Sequence, residues 1–315
     1  MGAFDRWQQR NRPVGFVLAT LQKYSDDQGA YLAATISYYA FFSLFPLLLV
    51  LATVLGFVLS GHAHLERSLV DSALGQFPVI GRQLRAHSLR GSGLALAIGI
   101  AAALWAGMGV VRAAQNAMDQ LWGVPVRQRP GFLPSRLRAL LLLGVLGGGL
   151  LLTTVLSGLG SFGASYGIGW KVGSIALATV LNFLLFWVGF RLLTTRDVTW
   201  RQLRGGAFAA AVSYEALQAV GGYYVGHVVK GASETYGTFA LVIGLLSWVF
   251  LSAHAILLAA EGNVVATRRL WPRSLSVAGE QSATSADEAA LTVRTKAEQQ
   301  RSDERIRVDF DRERA

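Results

Sequence analysis

Charged residues leave five long gaps in this chain. No Asp, Glu, Lys or Arg occurs in residues 28–65, 91–111, 139–170, 172–190 or 235–260. A hydrocarbon layer about 30 Å thick takes roughly 20 apolar residues of helix to cross, and each gap is long enough. Apolar helices of soluble cores usually run shorter and keep a polar face. The pattern predicts an all-α membrane protein, a bundle of about six transmembrane helices. Their approximate positions are residues 36–60, 92–112, 138–158, 172–193, 205–228 and 236–260. The fifth is the least clean, because Glu215 sits in its middle.

The segments outside the spans differ in character. Residues 1–35 mix Arg6 with Trp7, Phe16, Leu21 and Tyr24, as in a helix lying at the membrane interface. A solvated basic lead-in would read the same way. In the 61–91 loop, Leu65, Leu69, Leu74 and Phe77 alternate with Glu66, Arg67, Asp71 and Gln76, which predicts a short external amphipathic helix ending near Pro78. The stretch from Glu280 to Ala315 holds nine acids and seven bases with few apolar residues. It is expected to be disordered or a frayed helix. Three regions result: an N-terminal segment at 1–35, a membrane domain at 36–272 and a charged tail at 273–315.

Composition changes the picture only in its distribution. Charged residues make up 15% of the 315, against about a quarter in soluble domains. The absence of cysteine rules out disulfides and thiolate metal sites. A net charge of +10 could suggest nucleic acid, but its placement follows the positive-inside rule instead. With the N-terminus inside, 23 Lys and Arg fall on the cytoplasmic side and 6 outside. An even number of spans returns the C-terminus to the cytoplasm.

Ionisable and strongly polar groups inside a span are expensive and default to functional candidates. Glu215 is the clearest, about 15 Å along its helix with Gln218 one turn on. His254 lies within a turn of the same depth, and Asn182 is also near mid-membrane. These groups could line a polar path, or could simply lock helices together through hydrogen bonds. Pro46 removes a backbone donor from the first span, so a kink is expected there. Ser43, close by, could satisfy a freed carbonyl or help to bind a polar group.

Other chemistry finds no support. There is no Gly-rich phosphate loop, no HExxH and no Cys/His cluster. No cofactor or metal is expected, and no enzyme activity. The stretch DDQGAYLAATISYYAFFSLFPLLLVL from Asp26 to Leu51 resembles the first-span signature of the YihY/BrkB family of bacterial inner-membrane proteins. The resemblance continues through Trp105, Asn116 and Trp122. It returns at Trp200, Gly206-Ala207, Tyr223, Tyr236-Gly237, Trp248 and Ala260-Glu261-Gly262-Asn263. Arg191-Leu192-Leu193-Thr194 departs from it, since the family often has a proline after the leucines. The resemblance implies a six-span protein of the bacterial inner membrane, in a family labelled variously ribonuclease BN, virulence factor and envelope-integrity protein. A nuclease would need clustered carboxylates or histidines, and the cytoplasmic loops offer only isolated acids such as Asp119 and Asp197.

Handling or transport of a lipid or other amphiphile in envelope maintenance is the expected role, with a non-transporting scaffold as the alternative. The expected partners are membrane lipids, an anionic phospholipid or glycolipid, and not nucleic acid. Arg67, Arg82, Arg85 and Arg90 stand in the external loop against the usual depletion of bases there. Arginine pairs with phosphate through two parallel hydrogen bonds, so these four are candidate headgroup ligands.

Overall fold

A computed structural model of the protein describes residues 2–58, 93–162, 168–195, 198–224, 238–274, 284–301 and 303–310. Every regular element among them is helical. Two short helices, α1 (Gly2–Arg10) and α2 (Arg12–Asp26), precede six long ones. These are α3 (Gly29–Val58), α4 (Gly93–Leu121), α5 (Phe132–Phe162), α6 (Ile168–Leu193), α7 (Trp200–Tyr224) and α8 (Thr238–Arg268). A last helix, α9 (Ser285–Ala297), follows. In three of the long helices, Gly29–Leu47, Leu96–Leu121 and Val242–Arg268 are long and apolar enough to cross a membrane. The external 61–91 loop, with its expected amphipathic helix and Arg67, Arg82, Arg85 and Arg90, lies outside the described residues.

The helices outrun the apolar stretches that predict them. α4 continues nine residues past Arg112, and its extension packs Ala117, Met118 and Leu121 into the main core. That core also takes Leu203, Ala207 and Ala210 of α7 and Leu257, Ala260 and Val264 of α8. It sits at one end of the bundle. Arg127, Arg129, Arg138, Arg201, Arg204 and Arg268 belong to the same helix ends and turns, so this is the basic end. Large side chains further along the helices are exposed instead: Phe42, Phe45, Ile98, Leu104, Leu141, Val180 and Ile243. An apolar belt of this kind needs lipid or a partner to cover it.

Small residues let α7 and α8 meet. A Cβ on Gly206 would stand 2.4 Å from Asn263 Cβ, and the Gly206 N–H donates to Asn263 Oδ1 at 3.0 Å. The end of α6 is clasped from two sides. Arg138 Nη2 donates to the carbonyls of Leu192 (2.9 Å) and Thr194 (3.3 Å), which would otherwise be unsatisfied helix-end acceptors. Asp119 accepts from the Thr195 N–H and hydroxyl, both at 2.8 Å.

The N-terminal helices dock on the end of α8 and the residues after it. Gln8 Nε2 donates to the Arg273 carbonyl at 2.7 Å, Gln22 Nε2 to that of Ser274 at 2.9 Å, and Phe16 packs edge-on against Trp271. Asp5, Gln8, Thr20 and Lys23 are buried while Phe4, Trp7, Val17 and Leu21 are exposed, so the apolar face points away from the protein.

Of the two forms expected for the tail, disordered or a frayed helix, residues Ser285–Ala297 are helical. α9 begins with a capping box: the Thr284 hydroxyl accepts from the Asp287 N–H, and the Asp287 carboxylate accepts from the Thr284 N–H. Arg273 then bridges Asp26 (2.7 Å) and Asp287 (2.9 Å), tying α9 to α2. The Arg127 N–H donates to the Gln299 carbonyl at 3.2 Å.

Candidate functional site: an arginine-lined cavity at the basic end

One helix face supplies most of this site. Trp105, Arg112 and Asn116 follow one another on α4 at spacings of seven and four, which stack them on one side of the helix. Arg112 is the first charge after the apolar run of residues 91–111, so the face passes there from hydrocarbon-like to polar. Arg129 approaches from the turn before α5. Its Nη1 donates to Asn116 Oδ1 at 2.7 Å, and its Nε and Nη2 reach the Val124 carbonyl at 3.3 and 3.4 Å. Arg136 on the first turn of α5 places its guanidinium 5.2 Å from the centre of the Trp105 ring, a cation–π contact. Tyr39 of α3 closes another wall. It fits because residue 109 is glycine, where a Cβ would stand 2.6 Å from the Tyr39 ring.

These side chains line an open cavity of about 510 Å³, within the usual size range of small-molecule sites. Three guanidinium groups face one carboxylate, Asp119, and that carboxylate is engaged by Thr195. Arg129 is anchored by hydrogen bonds and Arg136 by the indole. Arg112 makes no hydrogen bond or ion pair among the described residues and is exposed. The arrangement can accept an anion, with aromatic walls on the side of the apolar belt.

The residues singled out from sequence fall elsewhere. Asn182 and Glu215 meet across α6 and α7, Asn182 Nδ2 donating to Glu215 Oε1 at 2.6 Å. Gln218, one turn on, is exposed. His254 faces Tyr24, with the phenol oxygen 2.8 Å from Nδ1. Tyr24 is pushed up to about 12, by burial first and by the charge of Glu261 second, so the phenol keeps its proton. Ser43 Oγ donates to the Ala40 carbonyl at 2.7 Å, and α3 runs on through Pro46 to Val58. In sequence, Arg112, Arg129 and Arg136 read only as topology markers. The Trp105–Arg112–Asn116 spacing was the signal that could have joined them.

A family profile described as Virulence factor BrkB matches residues 20–283, from the middle of α2 to the residues just before α9. The chain belongs to the BrkB family. Among relatives of this BrkB-family chain is the Inner membrane protein YhjD of Escherichia coli (strain K12). It is 25% identical over 291 residues, covering 84% of this chain and 85% of the relative. The UPF0761 membrane protein of Chromohalobacter salexigens is 30% identical over 251 residues, covering 76% of this chain and 60% of its own length. The chain thus spans about three-fifths of that relative. The Putative ribonuclease-like protein YfkH of Bacillus subtilis (strain 168) is 26% identical over 283 residues, covering 81% and 96%. No solved structure matches the chain.

Proposed function

We propose that this BrkB-family membrane protein binds the anionic headgroup of a membrane amphiphile and handles or transports it in maintaining the cell envelope. The observation that carries the reading is the cavity of Arg112, Arg129 and Arg136, beside Trp105 and Tyr39, where the apolar belt meets the basic end. A free ion would not need the aromatic walls or the adjoining hydrocarbon-like face. In this reading α3 to α8 are six spans of the bacterial inner membrane, and the positive-inside rule puts the basic end and both termini in the cytoplasm. The exposed Phe4, Trp7, Val17 and Leu21 then rest α1 and α2 on the inner leaflet. In this reading the headgroup is held by the arginines, and the bond of Glu215 to Asn182 serves to lock α6 to α7.

A scaffold reading draws on that lock and on the clasp of Asp119 and Arg138 around the end of α6. A ribonuclease reading has the name of one relative in its favour, but Asp119 is committed to Thr195.

The test is the lipid retained through purification, quantified by mass spectrometry. A charge-assisted hydrogen bond contributes about 1.5–3 kcal/mol, so Arg112→Gln alone should lower anionic phospholipid roughly tenfold or more. The triple variant Arg112→Gln, Arg129→Gln, Arg136→Gln should abolish the preference. Arg82, Arg85 and Arg90 changed together to Gln form the comparison. Loss of lipid in that variant and not in the cavity triple would move the site to the external loop. Equal lipid in the wild type and all three variants would remove the headgroup reading.

A further inference from the structure

A second group of charges lies deeper than the cavity and takes no part in it. Lys23 of α2 donates to Asp27 Oδ2 and, at 3.0 Å, to the Leu121 carbonyl at the end of α4. Its Nζ also stands 2.9 Å from Glu261 Oε2 on α8. That approach is an ion pair in distance but not a hydrogen bond in angle. Neither oxygen of Glu261 receives a hydrogen bond among the described residues. Glu261 is fully buried, and the Lys23 and Asp27 side chains are only 6% and 10% exposed.

Charge balance is the difficulty. Two carboxylates and one ammonium leave a buried unit of negative charge if both acids are ionised, and an uncompensated buried charge is costly. The protein shows how it solves the same stoichiometry elsewhere. Arg273 also serves two acids, but Asp26 there is 38% exposed to solvent, and Asp287 accepts further bonds from Ser274 and Thr284. Glu261 has no exposed surface, and only the Lys23 ammonium stands beside its carboxylate among the described residues.

The other charges nearby are engaged or lie across a cavity: Arg129 and Arg294 line the cavity beside Lys23 and Asp27, but Arg129 is bonded to Asn116 and Val124, Arg294 stands on α9, and Asp26 is paired with Arg273. On α2, Tyr24 keeps its proton and is neutral, with its hydroxyl against His254. On α8, His254 lies two turns from Glu261, about 10 Å along the axis. From α4 comes the Leu121 carbonyl, while Asp119 is turned to Thr195. Arg201 and Arg204 of α7 and Tyr31 of α3 are exposed. Arg268, at the end of α8, reaches the Trp122 carbonyl.

We propose that Lys23, Asp27 and Glu261 form a proton-binding site, with Glu261 the carboxylate that takes the proton. A proton on Glu261 leaves Lys23 and Asp27 as a neutral pair and supplies the missing unit of charge. The site opens toward the basic end. A cavity of about 360 Å³ reaches Lys23, Asp27 and Gln120 on one side and Val293, Arg294 and Glu298 around α9 on the other. Tyr24 and His254, in contact with each other, stand on the same two helices as Lys23 and Glu261, and acid and histidine groups of this kind move protons in membrane proteins. The inference stands independently of the headgroup reading.

The experiment is pH-difference infrared spectroscopy of the full chain in lipid nanodiscs, from mildly acidic to alkaline pH. The wild type should show the C=O band of a protonated carboxylic acid that survives at neutral pH, and Glu261→Gln should lose it. Asp27→Asn restores one acid per base, so Glu261 should ionise against Lys23 and the band should vanish although Glu261 is still present. This variant also carries the test if Glu261→Gln does not fold. Absence of the band in the wild type, its persistence in Glu261→Gln, or its persistence unchanged in Asp27→Asn would overturn the proposal.

Discussion

Glu215 and Asn182 face each other across α6 and α7. Such interhelical bonds contribute about 0.6 kcal/mol on average and up to about 1.7. A double-mutant cycle of Asn182→Leu and Glu215→Leu, read by thermal unfolding in detergent, should give a coupling in that range. Additive losses would mean the two do not act as a pair. Sequence reading could place Glu215, Asn182 and His254 by depth, since a helix rises 1.5 Å per residue. It could not say which way each faces across neighbouring helices. His254 accordingly turned out to address Tyr24, and Asn182, read alone, is the partner of Glu215. Lys23 and Glu261 were harder to see, because charges at the ends of apolar helices are ordinary. Only their burial distinguishes them.

Helices were legible wherever the chain lacks charge, and their ends were not. α4 carries on beyond Arg112 because its next turns are amphipathic and bury Ala117, Met118 and Leu121, a signal with a different period and a different neighbour from the apolar run before it. α9 was hidden by its mixed charge, although Thr284 followed three residues later by Asp287 is a helix-start pattern. Its docking should depend on pH. Burial alone would raise the Asp287 carboxyl, but bonds from the Ser274 N–H, Arg273 and Thr284 outweigh it and hold the group below the usual aspartate range. A depressed carboxylate stabilises the folded form above its unfolded value and loses that effect as pH falls through the folded one. Docking should therefore be complete at neutral pH and weaken below about pH 4. Faster hydrogen exchange across residues 285–297 would report the release. Asp287→Asn should show it already at neutral pH, with a loss of about 1–3 kcal/mol. Equal protection in variant and wild type would mean that this carboxylate does not hold the helix.

At the scale of the molecule, the described arginines of the helix ends and turns gather at one end of the bundle. The all-helical fold and its membrane-capable helices were open to sequence reading because they follow from solvent alone. The arginine cavity was not, since it needs α3, α4, α5 and a turn to be placed against one another. Orientation is testable in this cysteine-free chain. Cysteine introduced at Gly75 should react with an impermeant reagent from outside, and cysteine at Gln300 only after the membrane is opened. The reverse pattern would invert the protein and put the arginine cavity on the outer face.

The docking of α1 and α2 on residues 261–274 sets an order of assembly. The amide of Gln8 bonds a carbonyl 265 residues later, and Lys23 meets Glu261. A ribosome adding about 5–20 residues per second needs tens of seconds to bring those partners out. Until then the first two helices lack their main partner, and Lys23 has only Asp27 and the end of α4. The basic end therefore closes only after α8 is made, and the earliest part of the chain to emerge is among the last to find its place.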